Sequence, residues 1–310
     1  MNSVAQPIGQ ERAATQEVAS LHFETLESQF VGRDLPNAMS CDVEDYFQVS
    51  SFEHLISRDQ WKDQASRVER NIDRLLADFD EAGAKGTFFT LGWVAEQYPA
   101  MVRRIVDSGH ELASHGYDHK RVTSLTQQAF LEDVSRTKAI LEDIGGVAIK
   151  GYRAPSFSIG AEAAWAHPIL EEAGYKYSSS IYPVQHDHYG LPSAPRVPFK
   201  VNGGQLIEVP MSTVRFGKRN FPVSGGGYFR LLPFALSKAA IRRINERERR
   251  PAVFYFHPWE IDPDQPRVPG ISAKTRFRHY VNLDRFESRL KRLLTLFNWD
   301  RMDRVFLRED

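Results

Sequence analysis

The chain has 310 residues, of which 42% are hydrophobic, and its 40 Lys and Arg residues balance 40 Asp and Glu residues. This length allows one full hydrophobic core, and α/β barrels of this size form a single domain. The balanced charge argues against nucleic acid or an anionic membrane as a partner, and the single cysteine excludes an internal disulfide and a multi-cysteine metal site.

The N-terminus shows no basic segment followed by an apolar core, and no apolar run is long enough to span a bilayer. We therefore expect a cytoplasmic protein without a membrane span, while export by another route stays open. Residues 1–36 are polar and lack sustained periodicity, which is typical of a tail that need not fold. We expect one domain over residues 37–310, with a C-terminal extension that begins at about residue 220.

From residue 38 onward, apolar runs typical of strands alternate with amphipathic segments typical of helices. We predict strands over Ala38–Cys41, Gly86–Leu91, Val147–Ile149, Tyr175–Ile181, Leu206–Val214, Ala252–Phe256 and Arg304–Leu307. We predict helices over Trp61–Ala82, Met101–Asp107, Thr126–Ile144, Glu162–Ala173, Pro233–Glu246 and Leu283–Phe297. The Pro-rich segment Pro183–Pro198 and the Gly-rich segment Ser224–Arg230 are predicted loops.

Strands that alternate with helices of ten or more residues imply right-handed βαβ units and a mostly parallel sheet. With about seven such units, the sheet can close into a barrel. The polar candidates described below nearly all follow the carboxyl ends of predicted strands, which is where barrel enzymes assemble their sites. The alternation therefore predicts an α/β fold with the functional site at one end of the sheet.

Two histidines four residues apart, His115 and His119, follow the segment His110–Ala113. At this spacing both rings can lie on one side of a helical turn, about 5 to 6 Å apart at Cβ, which suits a shared divalent metal ion. A histidine pair alone is weak evidence, since histidines at this spacing arise by chance. Three further polar stretches at the ends of strand-like runs strengthen it, namely Asp42–Asp45, Arg153–Ser156 and Phe256–Glu260.

Two imidazoles and one carboxylate leave positions on a metal ion open for water and substrate, as a catalytic site requires. A second carboxylate can then accept a proton as water attacks a carbonyl, and an acid must protonate the departing amine. Histidine suits this acid role near neutral pH. The sequence offers the following residues for these roles: His115, His119, two of the three acids Asp42, Glu44 and Asp45, and His257 as the acid.

The four stretches, in this order, resemble the polysaccharide deacetylase family, also called carbohydrate esterase family 4 or the NodB homology domain. The resemblance extends from about Ala38 to His257 and includes the paired histidines His115–His119, the Arg-x-Pro element Arg153–Pro155 and the late strand end Phe256–His257. It implies a distorted, incomplete (β/α) barrel and metal-dependent removal of acetyl groups from N-acetylated sugars. Each element is weak alone, but their order and their positions after predicted strands are specific.

Three segments further resemble the subgroup found with bacterial exopolysaccharide and exosortase-type loci, namely Asp42–Phe47, Gly226–Arg230 and His257–Pro263. The resemblance thus implies N-acetylhexosamine residues of a bacterial exopolysaccharide as the substrate. The cofactor it implies is a divalent metal ion, with Zn2+ as the expected ion. Nothing in the sequence indicates a protein partner.

The acidic residues depart from the family pattern. The family usually has two adjacent aspartates as base and metal ligand, whereas here the acids are Asp42, Glu44 and Asp45. Because side chains alternate along a strand, Asp42 and Glu44 share a face and Asp45 points away. We therefore favour Asp42 as the base and Glu44 as the ligand, and Asp45 stays an alternative ligand if the strand ends before it.

A second departure concerns the residue that would orient the acid histidine. The family's Asp-Ser-Ser segment is Ser178–Ser180 here, so its aspartate is missing. Asp187 or Glu260 could replace it. Without such a replacement, we expect His257 to be a weaker acid.

Further residues are candidates for supporting roles. Arg153 is expected to hold the base by a bidentate contact that keeps its pKa low, the alternative being a structural ion pair. The backbone N–H of Ser156 is expected to bind the oxyanion together with the metal ion. Tyr228, Trp259 and Tyr280 are candidates for stacking on sugar rings, although packing accounts for them equally well.

We expect a metal-dependent deacetylase, a hydrolase of carbon–nitrogen bonds other than peptide bonds, that acts on a polysaccharide or oligosaccharide. One alternative is opening of a cyclic amide or imide, which relatives with the same fold perform and which needs a small closed pocket. The other is a catalytically impaired glycan-binding pseudoenzyme, which the altered acidic residues and Ser178 favour slightly.

Overall fold

The computed structural model describes residues 21–186 and 189–307. Its strands are β1 (Phe23–Thr25), β2 (Asn37–Val43), β3 (Thr87–Thr90), β4 (Glu111–Ser114), β5 (Gly151–Tyr152), β6 (Tyr177–Ser178), β7 (Phe199–Val201), β8 (Ile207–Glu208), β9 (Thr213–Phe216), β10 (Arg219–Pro222), β11 (Val253–Phe256) and β12 (Trp299–Asp300). Its helices are α1 (Glu27–Phe30), α2 (Val68–Ala82), α3 (Gly92–Gln97), α4 (Pro99–Asp107), α5 (Gln127–Gly145), α6 (Ala166–Glu172), α7 (Gly226–Leu231), α8 (Phe234–Arg242), α9 (Ala273–Tyr280), α10 (Phe286–Leu296) and α11 (Met302–Phe306).

Parallel strands make up the centre of the large sheet, in the order β8-β6-β5-β4-β3-β2-β11. The short strand β12 pairs with the start of β2, and the antiparallel strands β7 and β1 extend the sheet beyond β8. In the described residues, β1 and β11 end the order without pairing with each other, so the sheet is an open one. The predicted α/β fold with about seven strands in an incomplete barrel is confirmed.

The longer helices form where local signals are strongest. In α2, the apolar residues Val68, Ile72 and Leu75 recur at helical spacing and are buried, and Gly83 ends the helix with a left-handed φ of 62°. Thr126 caps α5 as predicted, because its hydroxyl accepts a hydrogen bond from a first-turn N–H. Within the described ranges, no helix combines the length and apolar composition needed to cross a bilayer.

The two faces of β2 have different environments. Met39, Cys41 and Val43 pack into the large hydrophobic core that the helices cover, so Cys41 is a buried small side chain as expected. Alternation then directs Asp42 to the opposite face of the strand, where a second apolar cluster lines the sheet. Asp42, near the end of β2, therefore lies on the face of the strand opposite the large hydrophobic core.

The structure differs from the predicted N-terminal tail. Residues 1–20 lie outside the described residues, but residues 21–36 are part of the fold. β1 pairs with β7, and the side chain of Phe30 is buried against Phe306, with ring centroids 5.4 Å apart. Burial of Phe30 is thus sufficient to hold α1 against the fold. The polar composition of residues 1–36 did not indicate this.

Several predicted elements are wrong or displaced. The predicted loop Ser224–Arg230 contains α7, because Phe229 and Arg230 are buried and hold the segment in a helix. The predicted strand Arg304–Leu307 overlaps the end of α11, whose first N–H donates to Thr87 Oγ1 at 2.7 Å. The fifth strand follows the predicted segment Val147–Ile149 instead of coinciding with it.

Candidate active site

The polar residues predicted from the sequence converge beyond the carboxyl ends of β2, β4, β5 and β11. Glu44, His115 and His119 form a buried group in which one ligand atom from each residue lies within 4.8 Å of the others. Glu44 Oε2 is 2.8 Å from His119 Nε2, and the two imidazole centroids are 5.4 Å apart. Ligand atoms this close together can serve as three protein ligands of one small cation.

An irregular loop, and not the predicted helical turn, brings the two histidines together. After β4 the chain adopts left-handed conformations at Gly116 (φ 73°) and at His119 (φ 58°). Such a conformation is uncommon for a residue with a side chain. Arg58 stabilises this loop, because its guanidinium donates to the carbonyl oxygens of Asp118 at 2.7 Å and His119 at 3.3 Å.

The protonation states suit metal binding. His115 Nδ1 donates to the carbonyl oxygen of Arg153 at 2.8 Å, which leaves the lone pair on Nε2. Burial lowers the pKa of His115 to about 4, so this ring is neutral at neutral pH. Burial opposes ionisation of Glu44, but the neighbouring His119 outweighs it and lowers the pKa of Glu44 to about 2.

The environment of Glu44 tests whether a cation fits this group. Its Oε2 atom is buried and has no well-aligned hydrogen-bond donor in the described residues, although His119 lies beside it. A buried carboxylate oxygen without a donor is costly. A divalent ion held by Glu44, His115 and His119 would remove that cost, so the residues present fit the group.

Asp45, the alternative metal ligand, is directed away from the histidines. Its Oδ2 atom accepts hydrogen bonds from Ser66 Oγ at 2.7 Å and from the backbone N–H groups of Arg67 at 2.7 Å and Val68 at 3.1 Å. It therefore caps the start of α2. β2 does end before Asp45, at Val43, but the prediction of Asp45 as a ligand is wrong for this arrangement, because its carboxylate is directed to the start of α2 while Glu44 faces the histidines.

Asp42 is held by a buried arginine. Arg153 Nη1 donates to Asp42 Oδ1 at 2.6 Å and to Ser40 Oγ at 2.9 Å, and its Nε donates to the carbonyl oxygen of Ser179 at 3.1 Å. The contact with Asp42 uses one nitrogen, so it is not the bidentate contact that was predicted. Asp42 Oδ2 stays directed toward His257, with 4.0 Å to Nε2.

His257 follows β11 and faces the metal-ligand group from across the site. Its side chain is 21% exposed, whereas the side chains of Asp42 and Glu44 are almost fully buried. Nε2 lies 3.7 Å from Glu44 Oε1, and Nδ1 lies 3.3 Å from Glu260 Oε2. Burial disfavours the charged ring, but the hydrogen bond to Glu260 and the nearby carboxylates raise the pKa of His257 to about 9.

Of the two acids considered as replacements for the missing family aspartate, Glu260 lies at the ring of His257. Asp187 lies outside the described residues. The position of Glu260 follows from the short 3-10 turn Pro258–Ile261, which brings it back over His257 three residues later.

The structure contradicts the prediction that Trp259 stacks on a sugar ring. The side chain is 6% exposed, and its indole stacks on the rings of His257 and His279, with centroids 5.1 and 4.2 Å apart. It therefore packs beside the acid histidine. Tyr280 also has an internal partner, because its hydroxyl accepts a hydrogen bond from Val268 N–H at 2.9 Å.

Tyr228 and Ser156 keep their predicted roles as proposals. Tyr228 is half-buried and shares a hydrogen bond with Tyr189, whose ring stacks on Tyr182. Ser156 follows β5 with a left-handed φ of 56°, and its hydroxyl lies 2.6 Å from that of Ser50. Both residues are therefore held by contacts with neighbouring loops.

Sequence reasoning missed the residues that support the site from a distance. Ser40 and Ser179 hold Arg153, Arg58 holds the histidine loop, and Arg230 contacts Glu260. Alternation along β2 placed Ser40 on the same face as Asp42, which was a usable signal. The two arginines offered none, since their partners are distant in the sequence.

Two family models match the chain, the polysaccharide deacetylase family at residues 60–178 and a domain of unknown function, DUF3473, at residues 179–307. A peptidoglycan deacetylase-like protein of Gibberella zeae is 34% identical over 119 residues, which is 38% of this chain and 34% of that protein. A peptidoglycan deacetylase of Helicobacter pylori is 29% identical over 113 residues, which is 36% of this chain and 38% of that protein. The chain thus spans little more than a third of these relatives.

A crystal structure from Mycobacterium smegmatis that is assigned to the polysaccharide deacetylases is similar in fold. The superposition has a TM-score of 0.54 at 21% sequence identity and covers 88% of this chain and 90% of that one. At this identity the likeness concerns the fold alone.

Proposed function

We propose that the protein, whose residues 60–178 match the polysaccharide deacetylase family, is a metal-dependent deacetylase of a bacterial exopolysaccharide that acts on its N-acetylhexosamine residues. One observation carries the proposal, namely that Glu44, His115 and His119 form a buried ligand group with Asp42 and His257 beside it. The exopolysaccharide substrate is supported by the resemblance of three sequence segments to the subgroup from exopolysaccharide loci.

The donor set of one carboxylate and two imidazoles suits Zn2+. When bound, such an ion polarises the acetyl carbonyl and makes a water molecule more acidic. Glu44 and the two histidines would hold it, with His115 fixed in the required tautomer by its bond to a backbone carbonyl.

The remaining residues divide the proton transfers between them. Asp42 Oδ1 is occupied by Arg153, so Oδ2 is the atom available to take a proton from the attacking water. The water oxygen forms a bond to the acetyl carbon, and the carbon–nitrogen bond breaks. His257 gives a proton to the departing nitrogen, which leaves as the sugar amine while acetate is released.

The geometry of Asp42 and His257 also bears on the two alternatives, a pseudoenzyme and a hydrolase of cyclic imides. A pseudoenzyme would lack a base or an acid, whereas here Asp42 has its arginine and His257 has a carboxylate at Nδ1. This supports an active enzyme. Hydrolysis of a cyclic imide uses the same groups, and a substrate test separates it from deacetylation.

The cytoplasmic location also stays a proposal.

The test measures acetate released from N-acetylglucosamine oligomers by the purified protein, with chelator and after addition of zinc. We expect chelation to abolish release and zinc to restore it. His115→Ala should be inactive, whereas His54→Ala, a substitution at an exposed histidine, should behave as wild type. Release that is indifferent to chelator and to His115→Ala would overturn the proposal, and turnover of hydantoin without acetate release would favour the cyclic-imide alternative.

A further inference from the structure

The acid side of the site comes from the region that the polysaccharide deacetylase match does not cover. The match ends at residue 178, whereas β11 and His257 belong to residues 179–307, which match the domain of unknown function. β11 pairs in parallel with β2, so this region completes the central sheet and does not form a separate body. Its role can therefore be sought in what it places around His257.

Glu260 makes two contacts with His257 through one oxygen. The backbone N–H of His257 donates to Glu260 Oε2 at 3.0 Å, and the ring Nδ1 lies 3.3 Å from the same atom. In the described residues, three carboxylates lie within 4.0 Å of the ring, and Glu260 is the one that meets Nδ1. The ring is thereby oriented with Nε2 toward Asp42 and Glu44.

The other oxygen of Glu260 is fixed by a buried arginine. Arg230 Nε donates to Glu260 Oε1 at 2.8 Å, and its Nη1 donates to the carbonyl oxygens of His279 at 2.8 Å and Val281 at 2.9 Å. An arginine with this many fixed partners has little freedom to move, so the carboxylate it holds is fixed as well.

Local packing leaves no room for Glu260 to move. Gly226 opens α7 directly against Glu260, and a Cβ atom at Gly226 would overlap the Glu260 carboxylate. On the ring side, Trp259 stacks on His257 with an interplanar angle of 17°. A glycine, an arginine and an indole thus enclose the pair from three directions.

We propose that Glu260, held by Arg230, is the positioning residue for the acid His257, and that residues 179–307 supply this acid unit to complete the deacetylase site. This inference rests on the proposed function. Ser178, at the position of the family's aspartate, carries no carboxylate, and its hydroxyl donates to Ser180 Oγ at 2.8 Å. The orienting group therefore comes from the turn that follows the acid itself.

The acid is needed when the leaving group is a poor one, so the test compares two substrates. The leaving group of an N-acetylglucosamine oligomer is the sugar amine, which requires a proton. The leaving group of 4-nitrophenyl acetate is 4-nitrophenolate, which is stable as an anion. For Glu260→Gln we expect kcat on the oligomer to fall about 10- to 100-fold with little change in KM, as is typical when an outer orienting partner is lost. Activity on the ester should fall much less, and zinc content should not change.

A pair of neighbouring glycines provides a second variant with a matched control. Gly226→Ala places a methyl group against Glu260, whereas a Cβ atom at Gly227 would meet nothing within 4 Å. Gly226→Ala should reproduce the selective loss on the oligomer, and Gly227→Ala should retain wild-type activity. This pair leaves every polar group in place, so it addresses positioning if Glu260→Gln folds poorly.

A double variant and a spectroscopic readout complete the test. In a His257→Gln background, Glu260→Gln should cause no further loss, because the residue acts through His257. In protein labelled with 15N at histidine, the His257 Nδ1 resonance should shift in Glu260→Gln and stay unchanged in Gly227→Ala.

The outcomes separate the two proposals. Equal loss on both substrates, loss of zinc, or additive loss in the His257→Gln background would overturn the role of Glu260 while leaving the proposed function standing. A wild-type protein that contains zinc but releases no acetate would overturn the proposed function. In that case an unshifted Nδ1 resonance in Glu260→Gln would contradict the positioning role independently of activity.

Discussion

Replacing each of the adjacent acids after β2 separates metal binding from helix capping. Glu44 and Asp45 are both buried, but Glu44 faces the two histidines whereas Asp45 accepts hydrogen bonds from the start of α2. The matched substitutions Glu44→Ala and Asp45→Ala therefore have opposite expected effects. Each removes one carboxylate from neighbouring positions in the chain.

The cost of Asp45→Ala follows from the bonds that it removes. The backbone N–H groups of Arg67, which precedes α2, and of Val68, its first residue, lose their acceptor, and loss of an N-cap costs about 0.5–2 kcal/mol. The bond from Ser66 contributes about 1 kcal/mol more. Burial raises the pKa of Asp45, so removal of the charge offsets part of this loss, and we expect a net loss of about 2 kcal/mol.

The expected effect of Glu44→Ala is on the metal. Removal of one of three protein ligands should weaken zinc binding by more than about 100-fold, since even outer partners of ligands contribute 10- to 100-fold. Asp45→Ala should leave the zinc affinity unchanged. Urea unfolding of chelator-treated protein measures the stability loss in Asp45→Ala. Competition with a zinc-binding dye measures the zinc affinity of both variants.

The reasoning would be refuted by the reverse pattern. If Asp45→Ala weakened zinc binding as much as Glu44→Ala and left the urea midpoint in place, Asp45 would be a ligand and the observed capping contacts would be unimportant. Asp45→Asn serves as a control, because its amide oxygen can still accept from the helix and should recover part of the stability.

Three further predictions concern the supporting residues. Arg153→Lys should lower kcat about 100-fold or more with zinc content unchanged, because a lysine cannot hold Asp42 and the serines together, and acetate-release kinetics with metal analysis measure this. Arg58→Ala should weaken zinc binding about 10-fold, since the loop that carries His119 loses two hydrogen bonds, and dye competition measures it. Burial lowers the pKa of His110 to about 3, so the unfolded chain takes up a proton at this residue before the folded one does as pH falls below about 6.5. Stability from this residue is thus complete above that pH and declines by up to about 1.4 kcal/mol per pH unit below it. In urea unfolding of the metal-free protein, the stability of wild type relative to His110→Asn should therefore fall as the pH is lowered, and a difference independent of pH would contradict this.

The sequence predicted those parts of the site that depend on short-range regularity. Glu44 faces the two histidines and Asp45 faces the start of α2, but both residues lie beyond the end of β2 at Val43, so strand alternation accounts for the placement of Asp42 alone. The apolar strand that precedes His257 and the capped helix α5 were also predicted, because each is decided by neighbours a few residues away.

The remaining features depend on contacts between distant segments. The glycines of α7 disfavour a helix locally, and the segment is helical because Phe229 and Arg230 are buried by elements that follow much later. The left-handed conformation at His119 depends on Arg58, and the orientation of His257 depends on Arg230 through Glu260. No local pattern records these pairings, since each forms only once the sheet has brought its strand ends together.

The central claim is that one metal ion is held between the first strand and the histidine loop, and anomalous diffraction at the zinc absorption edge tests it most directly. Crystals soaked with zinc are predicted to show one strong peak within about 2.0–2.2 Å of a Glu44 carboxylate oxygen, His115 Nε2 and His119 Nε2. A crystal that binds zinc elsewhere while this group stays empty would contradict the account.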